Sequence, residues 1–258
     1  MIRNLIIISA VGLVLAVVGI GGAMAVGGRD LARHDWTWVI TDDEEGDSSF
    51  QIERGAVAPD ITRKIAWTGG ERLAIDMPGE VTYIQGAEAG VTVTGPQTLA
   101  DRVRIVDGRL TLDGRQDKER SYIRWTRSGI RGWSETEVLR VTITAPAVKS
   151  FDLADHANLV IRHYDQPSLE LTLSGSAVAE AQGRANAVVI DLSGSSRADL
   201  EALQVTDARI RASGWGDVKV GPTGAALVDV SGNGDVTLTR QPSELRQLIS
   251  GDGEVIQE

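Results

Sequence analysis

The sequence lacks cysteine altogether, and its 258 residues include only two phenylalanines. Without cysteine the chain can form neither a disulfide framework nor a cysteine zinc site, and it cannot carry a lipid on cysteine. Basic residues are outnumbered, 26 against 36 acidic ones, and the formal net charge of −10 argues against a nucleic-acid-binding protein. The 29 glycines that are present favour an exported, elongated β protein.

A repeat marked by Ser-Gly pairs runs through the C-terminal half of the sequence. The serines of the five pairs are Ser174, Ser193, Ser213, Ser231 and Ser250, so the successive spacings are 193−174=19, 213−193=20, 231−213=18 and 250−231=19. Apolar and polar residues alternate before each pair, which is typical of a strand with one buried face. An apolar residue also follows each pair, namely Ala179, Ala198, Val218, Val236 and Val255. Residues 151–161 form an earlier, degenerate copy with Ala154 in the serine place.

Short repeats of this kind predict a solenoid. A unit of about 19 residues cannot bury its apolar face alone, so the copies must stack on one another. We therefore predict an all-β, right-handed parallel β-helix-like solenoid with coils of about 19 residues, preceded by an N-terminal hydrophobic helix. Glycine suits the corner of each coil because it adopts a positive φ without penalty. The predicted corner glycines are Gly175, Gly194, Gly214, Gly232 and Gly251.

The N-terminal segment is long and apolar. Leu5–Val26 contains 22 residues and no charge, and as a helix it would span about 33 Å, near the hydrocarbon thickness of a bilayer. The flanking charges predict a cytoplasmic N-terminus and an exported remainder. Two alternatives stay open, a membrane anchor or a signal peptide cleaved after Ala25, because Ala23-Met24-Ala25 is an A-x-A site.

The composition divides the chain into three predicted parts. These are an anchor or signal peptide at 1–28, an acidic linker at 29–61, and a β-helix domain at 62–258 with a basic aromatic insertion at 115–137. Short β-like runs between Arg72 and Leu112 predict the first layers of the solenoid, and "LRVTITAP", Leu139–Pro146, leads into the regular coils.

Several of these stretches together resemble one bacterial family. They are "LAIDMPGEVTYIQG", "VTVTGP", "RLTLDG", "LRVTITAPAVKSFDLADHANLVI", "LSGS", "VSGNGDVTL" and "ISGDGEVI". Between about Glu71 and Gln257 the chain is similar to the family called putative auto-transporter adhesin, head GIN domain. The resemblance implies an all-β, β-helix-like fold in exported proteins with no established active site.

One corner, "SGNGDVTLT", is similar to a calcium-binding repeat. It keeps two glycines and an apolar position of that motif, but Val236 stands where the motif requires aspartate. The acids nearest to these corners are Asp217, Asp235 and Glu254, and stacked carboxylates can bind calcium through oxygen. The equivalent positions of the two preceding coils hold Val178 and Arg197, which cannot ligate calcium. We therefore predict that no metal and no cofactor binds here, and that these acids are only surface side chains of the turns.

An enzyme is the main alternative class, because β-helices also serve as polysaccharide lyases and glycosidases. The acids are scattered, and the three histidines, His34, His156 and His163, form no visible pairing with a nucleophile. Trp215 in "GWGD" stands at a predicted corner, where it either stacks on a sugar ring or packs over a neighbouring coil. No residue is predicted to be catalytic.

The stretch "KERSYIRWTRSGIRGW", Lys118–Trp133, is the most unusual feature of the chain. Its local charge of about +4 stands against a total of −10. The predicted contact residues are Arg120, Arg124, Trp125, Arg127, Arg131 and Trp133. Their candidate partners are anionic lipid, lipopolysaccharide and an acidic glycan. The alternative interpretation is an exposed hairpin whose arginines pair with acids of the solenoid.

These observations predict a non-catalytic protein of the cell envelope. It would be exported, tethered through its N-terminal segment, and present a β-solenoid as a binding or structural surface. A carbohydrate-active enzyme on the same scaffold is the alternative, and the sequence leaves the oligomeric state open.

Overall fold

The computed structural model describes residues 36–41, 53–54, 59–114, 120–126, 129–134 and 136–258. They belong to two compact units, one from the ranges 1–57 and 117–134 and the other from 58–116 and 135–258. No helix within these ranges is long and apolar enough to cross a membrane, and the predicted helix at Leu5–Val26 lies outside them. The domain boundaries predicted above stay a prediction.

The described elements are almost all strands. In chain order they are β1 (Trp36–Thr41), β2 (Glu53–Arg54), β3 (Asp60–Ile65), β4 (Arg72–Asp76), β5 (Gly79–Gln85), β6 (Gly90–Pro96), α1 (Gln97–Ala100), β7 (Val103–Val106), β8 (Arg109–Leu112), β9 (Arg120–Thr126), β10 (Gly129–Ser134), a 3-10 turn (Thr136–Val138), β11 (Arg140–Ala145), β12 (Ser150–Leu153), β13 (Ala157–Leu173), β14 (Val178–Leu192), β15 (Arg197–Gly214), β16 (Asp217–Pro222), β17 (Ala225–Gly232), β18 (Val236–Leu238), β19 (Glu244–Ile249) and β20 (Val255–Gln257).

The second unit is a parallel β-solenoid of about five turns, as the repeat predicts. The strands β12, β13, β14, β15, β17 and β19 pair in parallel on one side. On the other side, the first halves of β13, β14 and β15 pair in parallel with one another. The same parallel ladder then continues from β15 through β16 and β18 to β20. The register confirms the predicted alignment of the residues after each pair, which runs Leu159, Ala179, Ala198, Val218, Val236 and Val255.

Alternation along each strand places the apolar residues in one interior stack. Leu171, Ile190, Ile210 and Val228 are neighbours in adjacent coils and are all fully buried. Burying an aliphatic side chain of this size contributes about 1.5 to 3 kcal/mol, so stacking the coils stabilises what a single coil cannot. The degenerate copy belongs to the same stack, because Leu153 pairs in register with Leu173.

The Ser-Gly pairs form the first turn of each coil, which we call the Ser-Gly corner. Gly175, Gly194 and Gly214 have φ values of 75°, 74° and 96°, which glycine adopts without strain. In the degenerate coil Asp155 stands in the glycine place with a φ of 57°, a conformation that aspartate tolerates better than most residues. The hydroxyls of Ser174, Ser193 and Ser213 donate to carbonyl oxygens of the preceding coil. The corners are therefore hydrogen-bonded along the stack.

A second turn, opposite the Ser-Gly corner, absorbs the unequal repeat lengths. β15 pairs Leu200 with Val220 but Ala212 with Val230, so its register offset changes from 220−200=20 to 230−212=18. The offset between β13 and β14 likewise decreases by one at a bulge after Ile161. The unequal spacings of the repeat therefore leave every Ser-Gly corner in register.

The first layers of the solenoid are only partly parallel. β4 pairs in parallel with β8 and β12, and β5 pairs in parallel with β11 and β13, as expected for solenoid layers. β3, β6 and β7 instead pair antiparallel with β6, β11 and β8 respectively. Of these antiparallel pairs, only β7 and β8 form a hairpin with a two-residue connection, and the other two join strands that are distant in the sequence.

Two buried tyrosines fix this end of the core. Tyr83 meets Phe151 edge to face with ring centroids 5.1 Å apart, and its hydroxyl donates to the carbonyl of Ala145 at 2.8 Å. The Tyr164 hydroxyl donates to the carbonyl of Ser168 at 2.6 Å. Burial raises the pKa of both phenols. Both side chains therefore stay neutral and serve as core residues with one satisfied polar end.

Candidate functional site

The first unit is a four-stranded antiparallel sheet in the order β10, β9, β1, β2, which we call the small sheet. The hairpin of β9 and β10 comes from the predicted basic aromatic insertion, and β1 and β2 come from the range 29–61 for which composition predicts a linker. That range therefore contains strand as well as acidic sequence. The hairpin alone would be marginal, and the pairing of β1 with β9 adds the third strand that independent stability requires.

One face of the small sheet carries cations and aromatic rings. Arg131 lies directly opposite Arg124 across the hairpin, and Trp133 lies opposite Tyr122. The Trp133 ring stacks on Tyr122 with centroids 5.7 Å apart, and the Arg124 guanidinium lies 5.9 Å from the centroid of Trp133. Arg131 is exposed and Tyr122 is buried. The structure thus brings Arg124, Arg131 and Trp133 together.

Like charges that face each other across two strands destabilise the pair. The contact with Trp133 offsets part of this cost for Arg124, because the face of an indole attracts a guanidinium. Guanidinium groups also form paired hydrogen bonds with phosphate and carboxylate. This face is therefore suited to an anionic partner.

The alternate register positions of the small sheet hold mostly apolar residues, with Arg54 opposite Trp38. Trp36 lies opposite Trp125, and Trp38 lies opposite Ile123, at strand positions that alternate with those of Tyr122 and Arg124. Ile130, opposite Trp125 on the hairpin, is 67% exposed. Of the remaining predicted contact residues, Arg120 and Trp125 are placed by backbone alone, and Arg127 lies outside the described residues.

The Ser-Gly corners carry a row of exposed residues along the solenoid, which we call the corner ridge. Each member follows the corner glycine or its equivalent and donates its backbone N–H to the coil before. The members are Ser176, Ser195, Trp215 and Asn233. Trp215 is 70% exposed, more than any other large hydrophobic side chain in the part of the chain that the structure describes. With 70% of its surface exposed, Trp215 makes limited contact with the neighbouring coils, and both predicted roles for it stay predictions.

Two of the three acids near the calcium-like motif use their carboxylates within the stack itself. Oδ1 of Asp235 accepts the backbone N–H of Glu254 at 3.1 Å, and Oδ2 of Asp217 pairs with Arg197 at 3.2 Å. These carboxylates therefore link one coil to the next. Within the described ranges no group of three or more Asp, Glu, His or Cys side chains is arranged to hold a metal ion.

Ion pairs between coils are a feature that sequence reasoning missed. Asp165 binds Arg184 through two guanidinium nitrogens, the shortest contact being 2.9 Å, and Asp191 pairs with Arg211 at 2.9 Å. The partners in each pair are separated by one repeat length, so opposite charges at that spacing were the available signal. Exposed pairs of this kind contribute about 0 to 1 kcal/mol each.

The two histidines that the structure describes lie apart from each other. His156 lies at an exposed turn beside Asp155, and His163 lies at the second turn of the same coil, exposed and with a φ of 56°. They therefore occupy opposite turns of one coil. His34 lies outside the described residues.

A family model described as "Putative auto-transporter adhesin, head GIN domain" matches residues 71–242. No curated protein matches the chain in sequence.

Solved structures of bacterial proteins are similar in fold. A putative adhesin from Bacteroides fragilis superposes with a TM-score of 0.54 and 16% identity, covering 78% of this chain and 97% of that one. A putative adhesin from Parabacteroides merdae has a TM-score of 0.44 and 15% identity, covering 77% of this chain and 96% of that one. A putative lipid binding protein from Parabacteroides distasonis has a TM-score of 0.43 and 14% identity, covering 77% of this chain and 96% of that one.

Proposed function

Because this chain belongs to the putative auto-transporter adhesin, head GIN domain family, we propose that it is an exported, non-catalytic protein of the cell envelope. Its solenoid presents a binding or structural surface, and its small sheet contacts anionic lipid headgroups. The observation that carries this proposal is the placement of Arg131 opposite Arg124 beside the Trp133 ring.

The chemistry of a bilayer surface matches both faces of the small sheet. Tryptophan prefers the boundary between headgroups and acyl chains, and arginine binds phosphate through paired hydrogen bonds. The cationic face supplies Arg124 and Arg131, while the alternate register positions hold Trp36, Trp38 and Trp125. A sheet with these two faces is suited to lying in the headgroup layer.

The position of the small sheet in the chain supports the same partner. The apolar segment ends at Val26 and β1 begins at Trp36, which is 36−26=10 positions further along the chain. Ten residues reach at most about 35 Å when fully extended. If Leu5–Val26 remains in the membrane, β1 is held close to the bilayer surface, where the local concentration of headgroups is high.

Hydrogen exchange in vesicles tests this proposal. The full-length chain is reconstituted into phosphatidylglycerol vesicles and, separately, into phosphatidylcholine vesicles. We expect slower amide exchange of 120–134 in phosphatidylglycerol at low salt, and a smaller difference at high salt because salt screens exposed charges. Exchange of 178–192, in the middle of the solenoid, should be the same in both lipids.

Two triple variants with equal charge changes provide the control. Arg124, Arg127 and Arg131→Ser should remove the lipid dependence, whereas Arg184, Arg197 and Arg211→Ser on the solenoid should preserve it. Equal protection of 120–134 in both lipids would contradict the proposal. If soluble polygalacturonate displaced residues 120–134 from vesicles of both lipids equally, the partner would be an acidic glycan instead.

A further inference from the structure

We propose that Trp215 is the stacking platform of a second binding site, for a neutral polysaccharide, on the corner ridge of the solenoid. The site lies on the second unit and uses none of the residues of the small sheet. It therefore extends the proposed function without depending on it.

The exposure of Trp215 is the first observation. An indole that leaves 70% of its surface in water gains little from packing and presents a flat, electron-rich face to solvent. The C–H groups on one face of a pyranose ring carry partial positive charge and complement such a surface. Single exposed apolar residues are ordinary on protein surfaces, so the exposure of Trp215 gains its weight from the residues around it.

The backbone at Trp215 is held firmly, which is the second observation. The Trp215 N–H donates to the carbonyl of Gly194 at 2.8 Å. Gly216 is buried, and a Cβ there would collide with the Leu192 side chain and the Ser196 carbonyl. Gly214 on the other side has a φ of 96°. Because the backbone is held on both sides of Trp215, it loses little conformational freedom when a ligand binds to the indole.

The neighbours of Trp215 along the corner ridge are polar, which is the third observation. Ser195 lies one coil before and Asn233 one coil after, both exposed. Adjacent coils are separated by about 4.8 Å, which is comparable with the length of one pyranose residue. The serine hydroxyl and the asparagine amide can each donate and accept hydrogen bonds, as sugar hydroxyls require. A glycan chain running along the ridge would meet polar, aromatic and polar positions in turn.

The charges near the corner ridge select a neutral ligand. Asp217, Asp235 and Glu254 follow the ridge positions in successive coils, while the nearby cations are Arg197, which pairs with Asp217, and Lys219, two residues along β16. Carboxylates near the ring repel acidic sugars and phospholipid phosphates but can accept hydrogen bonds from neutral hydroxyls. The preferred ligand class is therefore opposite to that of the small sheet.

Calorimetric titration with defined hexasaccharides tests the site. The full-length chain in detergent is titrated with the hexasaccharides of β-1,4-glucan, β-1,4-N-acetylglucosamine, β-1,4-mannan and α-1,4-glucan. At least one should bind, and its affinity should stay constant between low and high salt because no net charge is neutralised. Trp215→Ala should weaken that affinity by roughly tenfold, and Trp215→Phe by less.

Leu248→Ala is the matched control, because Leu248 is 65% exposed on a strand of the solenoid rather than on the ridge. It should bind the sugar as the unchanged chain does. Failure of all four sugars to bind would overturn the proposal, as would equal binding by Trp215→Ala. Loss of binding to phosphatidylcholine vesicles in Trp215→Ala, without sugar binding, would overturn it in favour of a lipid contact. None of these outcomes alters the exchange of 120–134, so the two sites are tested separately.

Discussion

Glycine is required at the Ser-Gly corners for two different physical reasons. Gly175, Gly194 and Gly214 adopt a positive φ, as the sequence predicts. Gly232 is not in that conformation, so for this residue the predicted reason is wrong. A Cβ at Gly232 would instead meet the carbonyl oxygen of Gly214 and lie 2.6 Å from its nitrogen. The close approach of two backbones excludes a side chain as firmly as an unfavourable φ does.

Gly232→Val should therefore destabilise the protein by about 1 kcal/mol or more, because the backbone of the coil before must shift. Gly90→Val is the control, since a Cβ at Gly90 meets nothing within 4 Å. Thermal unfolding followed by circular dichroism measures both. Equal melting temperatures for the two variants would show that the corner has room for a side chain.

At the scale of the element, each long strand has a buried and a solvent-facing row of side chains. In β14, Ile190 is fully buried between Leu171 and Ile210 of the neighbouring coils, whereas the adjacent Val189 is only partly buried. A cavity in one coil removes packing contacts from both neighbouring coils, since every interior side chain packs against two others along the stack.

Ile190→Ala should cost about 2 to 5 kcal/mol of unfolding free energy, because it leaves a cavity in the stack. Val189→Ala should cost less than about 1 kcal/mol. Urea denaturation followed by far-ultraviolet circular dichroism compares them. A larger loss for Val189→Ala would mean that the strand presents the opposite face to the core.

The sequence predicts the regular coils well because each corner contains the same local signal. A Ser-Gly pair and a period of two fix both the turn and the buried face, so even the degenerate copy at 151–161 is placed correctly. The antiparallel pairing of β3, β6 and β7 carries no such signal, since a strand with one buried face looks the same in either direction. The small sheet was missed because β1 and β9 pair across about 80 residues of intervening chain, and no local pattern encodes that pairing.

The candidate sites were predictable as residue groups but not as geometry. Arginine and tryptophan in "KERSYIRWTRSGIRGW" indicate an anionic partner by composition alone. Only the register of β9 and β10 reveals that Arg124 faces Arg131 and that Trp133 contacts Arg124. The exposure of Trp215 likewise depends on the direction of the corner, which a single sequence does not encode.

At the scale of the whole molecule, the two proposals assign opposite electrostatic preferences to the two units of the chain. The small sheet concentrates arginine, while the total charge is −10. Under the two proposals above, one unit would bind phosphate groups and the other neutral sugars. A protein of this kind would connect a lipid surface with a glycan layer through one covalent chain.

The N-terminal segment decides whether that connection is permanent. If Leu5–Val26 stays in place as an anchor, the protein should remain in the membrane fraction after a carbonate wash and keep its full mass, because a helix of this length is held by the hydrocarbon layer. Fractionation and intact mass spectrometry measure this. A soluble species that begins at Val26 would indicate cleavage after Ala25.

The second turn, where differences in coil length are absorbed, has an evolutionary consequence. Residues inserted or deleted there do not disturb the register of the next Ser-Gly corner, as the change of offset between Leu200 and Ala212 demonstrates. Mutation can therefore lengthen, shorten or diversify the loops on one flank of the solenoid while the opposite flank, with Trp215, keeps its geometry. A lineage of such proteins can acquire new loops without having to rebuild its core.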